Sequence, residues 1–376
     1  MRVLFTCGGT AGHINPAVAL ARLFTEHNPG CEILFVGADG GMETRLVPKE
    51  GYALKTVTIT SFRRSLTPAA LGHNFKTLLN MGKSRGQANA ILDAFRPDLV
   101  VGTGGYASYP VVRAAAKRKI PTAVHESNAV PGLTTKALAK VVDKVMVGFE
   151  ESRVYYDCPE KVVVTGTPVR GDFFRYTRQQ AREVLGIADD RPLVLSYWGS
   201  LGAEAMNSRM TEFIALECGA GEPFHHLHGA GRDFAAMQNA LEAKKLALTE
   251  HPSVELREYI YNMPTVMAAA DLVLCRAGAS TVSELGALAK PSVLVPSPNV
   301  TNDHQTKNAK VLAAAGGALL LPEGDCTPEG LYQTVNDLLA DGTRREDMTR
   351  ALQKMAIPHA AEQIYGVLSD LIAIHS

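Results

Sequence analysis

A histidine follows three glycines in the stretch CGGTAGHINP, which begins one residue after the apolar run VLF. Gly8, Gly9 and Gly12 would let backbone N–H groups approach an anion or a sugar hydroxyl, and the start of the next helix adds a positive dipole end. His13 is a candidate general base, because a neutral imidazole accepts a proton near pH 7. The pattern GGxxG is not the GxGxxG of dinucleotide-binding loops, and a tight turn with a structural histidine has the same letters.

Two further stretches of the first half end predicted strands with polar side chains: VVGTGGYASYP and VHESNAVPG. They carry Tyr106, His125, Glu126 and Asn128. If their strands share a sheet with the first strand, these side chains lie near His13 at the carboxyl edge, where ligands bind in sheets of this kind. Glu126 and Asn128 that only cap turns would give the same sequence.

In the second half, the stretch LCRAGASTVSELGALAKPSVLVP predicts a strand, a turn and a helix start over Ser280 to Glu284. A carboxylate there can bind the two hydroxyls of a ribose. In the alternative interpretation, Ser280 or Thr281 pairs with Ser283 or Glu284 in a capping box that only completes the helix.

The loop PSPNVTNDHQTKNA places His304, Gln305 and Asn308 after the next strand, which suits a polyhydroxylated ligand as well as a solvated loop. No DxD motif occurs, and the six cysteines form no CxxC pair or metal-ligand cluster. We therefore predict no metal site and no cofactor. The charge of a diphosphate would then be met by helix N-termini and by a residue such as Arg170.

The elements that must position these residues are short apolar runs alternating with longer helical segments, from RVLFT and EILFVG to DLVLCRAG and SVLVPS. Runs that are apolar throughout predict parallel strands covered on both faces. A chain of 376 residues exceeds the usual size of one domain. We predict two doubly wound α/β domains with a boundary in VTGTPVRGDFF, whose loops face a central cleft.

Composition excludes several classes of protein. The counts of Lys+Arg and of Asp+Glu are both 38, so no global basic field argues for nucleic acid. No stretch approaches the roughly 18 consecutive apolar residues of a membrane span, and the first residues do not resemble a secretion signal. The sequence predicts an intracellular protein with reduced cysteines.

The segment from SFRRSLTP to ILDAFRP mixes cations with large apolar residues. Such a surface can rest on an anionic membrane, with apolar groups entering and cations contacting headgroups. A helix packed on a core shows the same composition. The residues of this candidate membrane patch are Arg63, Arg64, Phe75, Lys76, Leu79 and Lys83.

Seven motifs occur together and in order: GGTAGHINP, GTGGYASYP, HESNAVPGLTTKALAK, GTPVR, GSLGAEAMN, CRAGASTVSEL and NDHQTKNA. In these motifs and in their spacing the chain closely resembles the MurG glycosyltransferase family, the undecaprenyldiphospho-muramoylpentapeptide β-N-acetylglucosaminyltransferases. The resemblance implies a GT-B fold of two Rossmann-like domains. Residues 1–167 would form an acceptor and membrane-facing domain, residues 168–358 a UDP-GlcNAc-binding domain, and a last helix at about 359–376 would pack back on the first.

The resemblance also implies an inverting, peripheral enzyme at the cytoplasmic side of the cell membrane. It would move GlcNAc from UDP-GlcNAc to the C4 hydroxyl of a lipid-linked muramoyl-pentapeptide in peptidoglycan synthesis, alongside other cell-wall proteins. His13, Tyr106 and Glu126 fall on the acceptor site and proposed base, the backbone at Ile260 on the uracil contact, and Glu284 on the ribose contact. The full set of donor contacts would be Thr10, Ala11, Gly12, Asn128, Arg170, Ser200, Ile260, Ala279, Ser280, Thr281, Val282, Ser283, Glu284 and Gln305.

One departure from the family pattern is Trp198 in YWGSLGA, where the family usually has a glycine. Either the backbone there is ordinary and the indole covers the donor pocket, or donor affinity is altered. Alternative functions are another GT-B enzyme, such as a glycolipid glycosyltransferase or a UDP-GlcNAc 2-epimerase, a nucleotide-dependent oxidoreductase, and a non-catalytic sugar-nucleotide sensor.

Overall fold

The computed structural model describes residues 1–59, 68–199, 202–357 and 359–375, without the side chains of residues 68–81 and 301. The chain divides into two compact units. The first unit is Met1–Arg170 with Ile357–Ser376, and the second unit is Gly171–Ala356.

The first unit contains a seven-stranded parallel sheet in the order β3-β2-β1-β4-β5-β6-β7. Its strands are β1 Arg2–Thr6, β2 Glu32–Ala38, β3 Ala53–Val57, β4 Leu99–Gly102, β5 Thr122–Glu126, β6 Lys144–Val147 and β7 Val162–Val164. Its helices are α1 Ala11–His27, α2 Glu43–Lys49, α3 Pro68–Phe95, α4 Ser108–Lys117, α5 Leu133–Ala139 and, at the end of the chain, α14 Ala360–His375.

The second unit contains a six-stranded parallel sheet in the order β10-β9-β8-β11-β12-β13. Its strands are β8 Leu193–Tyr197, β9 His225–Gly229, β10 Val254–Arg257, β11 Leu272–Cys275, β12 Ser292–Leu294 and β13 Ala318–Leu320. Its helices are α6 Arg178–Leu185, α7 Glu204–Gly219, α8 Phe234–Ala243, α9 Met263–Ala269, α10 Ala279–Ala287, α11 His304–Ala314, α12 Pro328–Ala340 and α13 Gly342–Met355.

Apolar strands covered on both faces explain why the sheets are parallel and buried. One face of the first sheet packs on α1 and α14, where Phe24 lies edge-on to Phe5 of β1 and to Tyr365 of α14. The last helix of the chain is therefore part of the core of the first unit. The predicted class, two doubly wound parallel-sheet domains, is confirmed.

The strand order reverses at one point in each sheet, between β1 and β4 in the first unit and between β8 and β11 in the second. At such a switch point the two connections leave toward opposite faces, so their loops part and open a crevice beyond the carboxyl ends of the strands. The loops that follow β1, β4, β8 and β11 are therefore the places where a site is expected.

None of the helices in the described part of the chain combines the length and apolarity that a bilayer crossing requires. The candidate membrane patch falls mainly outside the described residues and side chains. Arg63 and Arg64 precede α3, and Phe75, Lys76 and Leu79 belong to the part of α3 whose side chains are not described. Lys83, farther along α3, is exposed.

Candidate active site

His13 lies in the first turn of α1, at the carboxyl edge of the first sheet. Its Nδ1 atom is 2.8 Å from the backbone oxygen of Gly8. Because a carbonyl only accepts hydrogen bonds, Nδ1 donates, and the neutral imidazole keeps its lone pair on Nε2. Thr10, at the N-cap position of α1, has extended backbone and is exposed beside this ring. The local geometry therefore selects the tautomer that leaves Nε2 able to accept a proton.

A buried carboxylate packs against the first glycine loop and accepts hydrogen bonds from its backbone. Glu43, at the start of α2, is fully buried and accepts hydrogen bonds from the N–H groups of Gly9 (3.1 Å) and Ala38 (2.7 Å). A Cβ atom on Gly8 would lie 2.6 Å from its Oε1, and a Cβ on Gly41 would lie 2.4 Å from the same atom. Losing the acceptor would leave two N–H groups without a partner, at about 1–3 kcal/mol for each that stays buried.

Nothing in the sequence indicates this role for Glu43. It is one acidic residue among 38, and the stretch GGMETR does not mark its side chain as buried. Its position follows from the pairing of β1 with β2, which brings the glycines after both strands around one carboxylate.

The glycine loop after β4 packs directly on His13. A Cβ atom on Gly104 would lie 2.5 Å from His13 Cδ2, and a Cβ on Gly105 would lie 2.3 Å from the Gly8 oxygen. The Thr103 hydroxyl donates to the His13 carbonyl oxygen at 2.6 Å. The two loops at the switch point of the first sheet therefore meet at His13. Tyr106, directly after these glycines, exposes about half of its surface (49%).

Glu126 ends β5 and is almost fully buried. One carboxylate oxygen accepts from the backbone N–H (3.1 Å) and the side-chain amide (2.9 Å) of Asn128. The other accepts from the N–H of Gly132 at 3.0 Å. Of the two interpretations of these residues, turn capping therefore describes the contacts of Glu126, which orients Asn128.

In the second unit, α10 begins after β11 with Gly278 as its N-cap residue in extended conformation. No side chain caps α10, all of whose residues the structure describes, and the Ser283 hydroxyl donates instead to the Ala279 oxygen at 2.8 Å. The capping-box interpretation is therefore wrong. The Ser280 hydroxyl oxygen is buried and has no hydrogen-bond partner among the described residues. Glu284 lies one turn farther on the same face of the helix.

Ile260, between β10 and α9, packs against Gly229 at the end of β9, where an added Cβ would lie 2.9 Å from Ile260 Cδ1. The side chain is buried, so only the backbone of this residue could contact a ligand. The backbone contact with uracil that the resemblance implies for Ile260 stays a prediction.

The start of α11 is fastened to the loops around it. Gln305 Oε1 accepts from the N–H of Ser297 at 2.9 Å, and the Asn308 amide donates to the Ala277 oxygen at 3.2 Å. Asn302 (φ 59°) and Asp303 (φ 51°) both adopt left-handed backbone, a strained arrangement that clusters at functional sites. The loop after β12 is therefore held in a defined shape beside the start of α10.

Trp198 does not take a positive φ, whereas the next residue, Gly199, does (93°). The indole is buried in the core of the second unit together with Met206, under the guanidinium of Arg276 at 5.9 Å from the ring centroid. The backbone at this departure from the family pattern is therefore ordinary, and the turn is made at Gly199. Ser200 lies outside the described residues.

The structure thus places the predicted residues in two groups. Thr10, Ala11, Gly12, His13, Tyr106, Glu126 and Asn128 follow β1, β4 and β5, which are neighbours in the first sheet. Ile260, Gln305 and the residues Ala279, Ser280, Thr281, Val282, Ser283 and Glu284 follow β10, β11 and β12 in the second. Arg170, predicted for the second domain, belongs to the first unit.

Known proteins resemble this chain over nearly its whole length. The model of the glycosyltransferase family 28 N-terminal domain matches residues 3–147, and that of the C-terminal domain matches residues 194–364. A relative from Acetivibrio thermocellus named UDP-N-acetylglucosamine--N-acetylmuramyl-(pentapeptide) pyrophosphoryl-undecaprenol N-acetylglucosamine transferase is 40% identical, over 99% of this chain and 98% of its own. A relative of the same name, numbered 1, from Bacillus cereus is 39% identical over 99% of this chain and all of its own.

Solved structures agree with this similarity. The crystal structure of MurG from Acinetobacter baumannii superimposes with a TM-score of 0.74 at 27% identity, covering 98% of this chain and 99% of that one. A UDP-GlcNAc 2-epimerase from Neisseria meningitidis, with a TM-score of 0.65 at 16% identity over 98% of this chain and 100% of its own, shares the fold. With two family models and full-length relatives at about 40% identity, the chain belongs to glycosyltransferase family 28 and, within it, to the MurG N-acetylglucosaminyltransferases.

Proposed function

We propose that the protein transfers N-acetylglucosamine from UDP-GlcNAc to the C4 hydroxyl of a muramoyl-pentapeptide on a polyprenyl diphosphate, converting lipid I to lipid II with inversion at the sugar carbon. Family membership supports the reaction class. The observation that carries the proposal is the environment of His13, whose Nδ1–H donates to the Gly8 oxygen at 2.8 Å and whose Nε2 can accept a proton at the switch point of the sheet.

The two units would divide the substrates. The first unit, predicted as residues 1–167 with the last helix, would hold the acceptor, and the second, predicted as residues 168–358, would hold UDP-GlcNAc. A buried Ser280 hydroxyl without a partner among the described residues supports the second assignment, because a ligand hydroxyl or phosphate can complete its hydrogen bonding. Glu284 would accept from the ribose hydroxyls, and the backbone at Ile260 and the Gln305 region would contact the rest of the donor.

In the reaction, His13 Nε2 would take the proton of the acceptor hydroxyl as its oxygen attacks the anomeric carbon of GlcNAc. The bond to the β-phosphate oxygen breaks as the new glycosidic bond forms, so one displacement inverts that carbon. Backbone N–H groups in the turn at Gly199 and Gly202, the start of α7 and Arg170 would stabilise the charge that develops on UDP. Glu126 would orient Asn128, and Tyr106 would contact the acceptor.

Transfer of labelled GlcNAc tests the proposal directly. Incubation with UDP-[¹⁴C]GlcNAc and a lipid-linked muramoyl-pentapeptide should yield a labelled lipid that carries both sugars, and UDP-glucose should not replace the donor. An absence of labelled lipid with intact, folded protein would contradict the function. Conversion of the donor to UDP-ManNAc without acceptor would indicate an epimerase instead.

For the donor site, we expect Glu284→Ala to raise the KM for UDP-GlcNAc by about 10- to 100-fold with a smaller change in kcat, because the loss is a charge-assisted hydrogen bond to ribose. Steady-state kinetics with donor varied at saturating acceptor measures this. Glu329→Ala, which removes an exposed carboxylate in the first turn of α12, is the matched control. An unchanged KM for Glu284→Ala would rule out the ribose assignment.

We also propose that the protein associates with the cytoplasmic face of the membrane through the patch around α3. The composition of residues 62–85 and the exposed Lys83 support this. Neutralising Arg63, Arg64, Lys76 and Lys83 together should reduce co-sedimentation with anionic vesicles at least tenfold, since each cation near such a surface contributes about 1 kcal/mol. A matched variant neutralises four exposed cations of the second unit, Lys244, Lys245, Arg344 and Arg350. Equal binding of both variants would favour a helix packed on the core.

A further inference from the structure

A series of hydrogen-bonded, buried polar side chains lies between strands β8 and β9 and helix α7 of the second unit. Glu217 Oε2 lies 2.7 Å from His226 Nδ1, and His226 Nε2 lies 2.7 Å from Ser196 Oγ. Ser196 Oγ lies 2.6 Å from His228 Nδ1, and His228 Nε2 lies 3.1 Å from Asn207 Oδ1. All five side chains are at most 1% exposed. The acid, histidine and serine resemble a hydrolase triad in order, but no substrate can reach them.

The end of this series at Asn207 fixes the direction of its hydrogen bonds. The Asn207 amide nitrogen donates to the Ala230 oxygen at 2.7 Å and to the Asp233 carboxylate at 2.8 Å. Because the Ala230 carbonyl can only accept, the amide cannot be turned around, and its oxygen faces His228. His228 Nε2 must therefore carry a proton and donate.

The role of His228 in turn fixes which atoms donate and which accept at Ser196 and His226. Burial lowers the pKa of His228 to about 3, so the ring is neutral and its Nδ1 accepts. The acceptor role of Nδ1 requires Ser196 to donate its hydroxyl proton there. Ser196 has only one such proton, so its oxygen must accept from His226 Nε2–H.

The contact between His226 Nδ1 and Glu217 Oε2 therefore requires one more proton. With Nε2 of His226 protonated, a neutral ring would direct the Nδ1 lone pair at a carboxylate oxygen 2.7 Å away, which is repulsive. One additional proton must lie between them. The other oxygen of Glu217 is buried without a partner among the described residues, which disfavours a negative charge there. Burial also raises the pKa of Glu217.

We propose that Glu217 is a buried carboxylic acid that donates its proton to neutral His226, and that this proton completes the series of hydrogen bonds whose direction is fixed at Asn207. Glu217 is then a positioning residue, acting at a distance on the start of α7. A carboxylate facing a neutral ring that donates from Nδ1 would leave Nε2 and the Ser196 oxygen in contact as two acceptors. A carboxylate facing a doubly protonated ring would keep the same directions, but it would place a negative charge on a buried carboxylate whose other oxygen has no hydrogen-bond partner among the described residues.

The Asn207 end of the series supports the turn that we propose for the donor diphosphate, so this part rests on the proposed function. Gly202 has φ 74°, and a Cβ there would lie 2.4 Å from the Ala230 oxygen and 3.0 Å from the Asn207 amide nitrogen. The Gly202 N–H donates to the Gly199 oxygen at 3.1 Å. The backbone of the turn therefore packs against the contact between Asn207 and Ala230, and the hydrogen bond from His228 holds the Asn207 side chain in that position.

Other titratable groups surround the hydrogen-bonded series from Glu217 to Asn207 and contribute to any experiment that varies the pH. Glu222 and His225 act electrostatically on Glu217, and Cys218 follows it in α7. His225 Nε2 lies 2.7 Å from Asp189 Oδ1, and His251 Nδ1 lies 2.7 Å from Glu222 Oε1. The rings of Phe213, Phe224 and, through them, Tyr332 cover the remaining sides of His226.

The slope of the unfolding free energy against pH reports how many protons the native state takes up, and so it tests for the buried proton. Above about pH 7 an unfolded glutamate and histidine have both lost their protons, whereas the native pair keeps one. Folding then takes up one proton, so the native state loses stability as the pH rises. The unfolding equilibrium constant of the wild type should rise relative to that of Glu217→Gln by about tenfold per pH unit between pH 7 and the pH at which the native pair releases its proton.

The Gln side chain donates a hydrogen bond to His226 permanently, so Glu217→Gln should lack this proton uptake. Urea unfolding from pH 7 to 9.5 measures the difference, and groups common to both proteins cancel. Glu222→Gln, which alters the neighbouring carboxylate, is the control and should keep the wild-type slope. If the unfolding free energies of the wild type and of Glu217→Gln change in parallel with pH, the proposal of a buried acid is wrong. This result does not depend on whether the protein transfers GlcNAc.

Donor kinetics test the positioning role separately. Glu217→Gln should keep the KM for UDP-GlcNAc within twofold of the wild type at pH 7, and Glu217→Ala and Ser196→Ala should raise it at least tenfold. Above the pH at which the pair loses its proton, the wild-type KM should rise and that of Glu217→Gln should not. The two experiments can also disagree. If Glu217→Gln raises the KM for UDP-GlcNAc as much as Glu217→Ala does, while urea unfolding still shows the extra proton, the acid stabilises the fold but does not position the turn.

Discussion

Replacing His13 with alanine is expected to lower kcat by about 10²- to 10⁴-fold, the contribution of a positioned general base. The KM for UDP-GlcNAc should change little, because the imidazole is proposed to act on the acceptor hydroxyl and most of the proposed donor contacts lie in the second unit. The physical reason is the hydrogen bond between Nδ1 and the Gly8 oxygen at 2.8 Å, which leaves Nε2 as the proton acceptor. Turnover of labelled GlcNAc at saturating donor and acceptor measures the loss.

A second histidine on the same helix provides the control. His27 ends α1, is exposed, and bonds through its Nδ1 to the Leu23 oxygen at 3.0 Å. His27→Ala should leave kcat within twofold of the wild type. A His13→Ala protein with wild-type turnover would assign the base to another residue.

The sequence predicted the architecture well because its signal is local. The apolar runs quoted from the two halves of the chain are strands: RVLFT is β1, EILFV lies in β2, and DLVLC contains β11. Runs of this kind are buried on both faces whatever the detailed packing, so their number and parallel pairing follow from composition and spacing.

The parts of the site that the sequence could not predict depend on contacts across strands. Glu43 and Glu217 are two buried carboxylates among many acidic residues, and only the pairing of β1 with β2, or of β8 with β9, shows what they contact. The stretch FHHLHG predicts a strand, but not that alternate histidines point to one buried serine. Likewise, the letters ASTVSE fit a capping box that the backbone at Gly278 does not form.

Adding one methyl group at Gly104 is expected to lower kcat by about 100-fold, the typical effect of misplacing a catalytic group by about 1 Å. Gly104 has φ 113°, a conformation that side chains rarely adopt, and its Cβ would lie 2.5 Å from His13 Cδ2 and 2.8 Å from Nε2. The imidazole or the loop must move. Since the contact is with the imidazole that is proposed to act on the acceptor, the KM for UDP-GlcNAc should stay near the wild-type value.

Two comparisons separate this effect from a general loss of structure. Gly366→Ala, in the exposed part of α14 where a Cβ meets nothing within 4 Å, should leave both stability and turnover near wild type. The double variant His13→Ala/Gly104→Ala then decides the mechanism. If Gly104→Ala acts through the position of the imidazole, it should lower turnover by less than about threefold once His13 is absent, since effects on one catalytic group do not add. A further 100-fold loss would mean that the loop after β4 contributes to the reaction independently of His13.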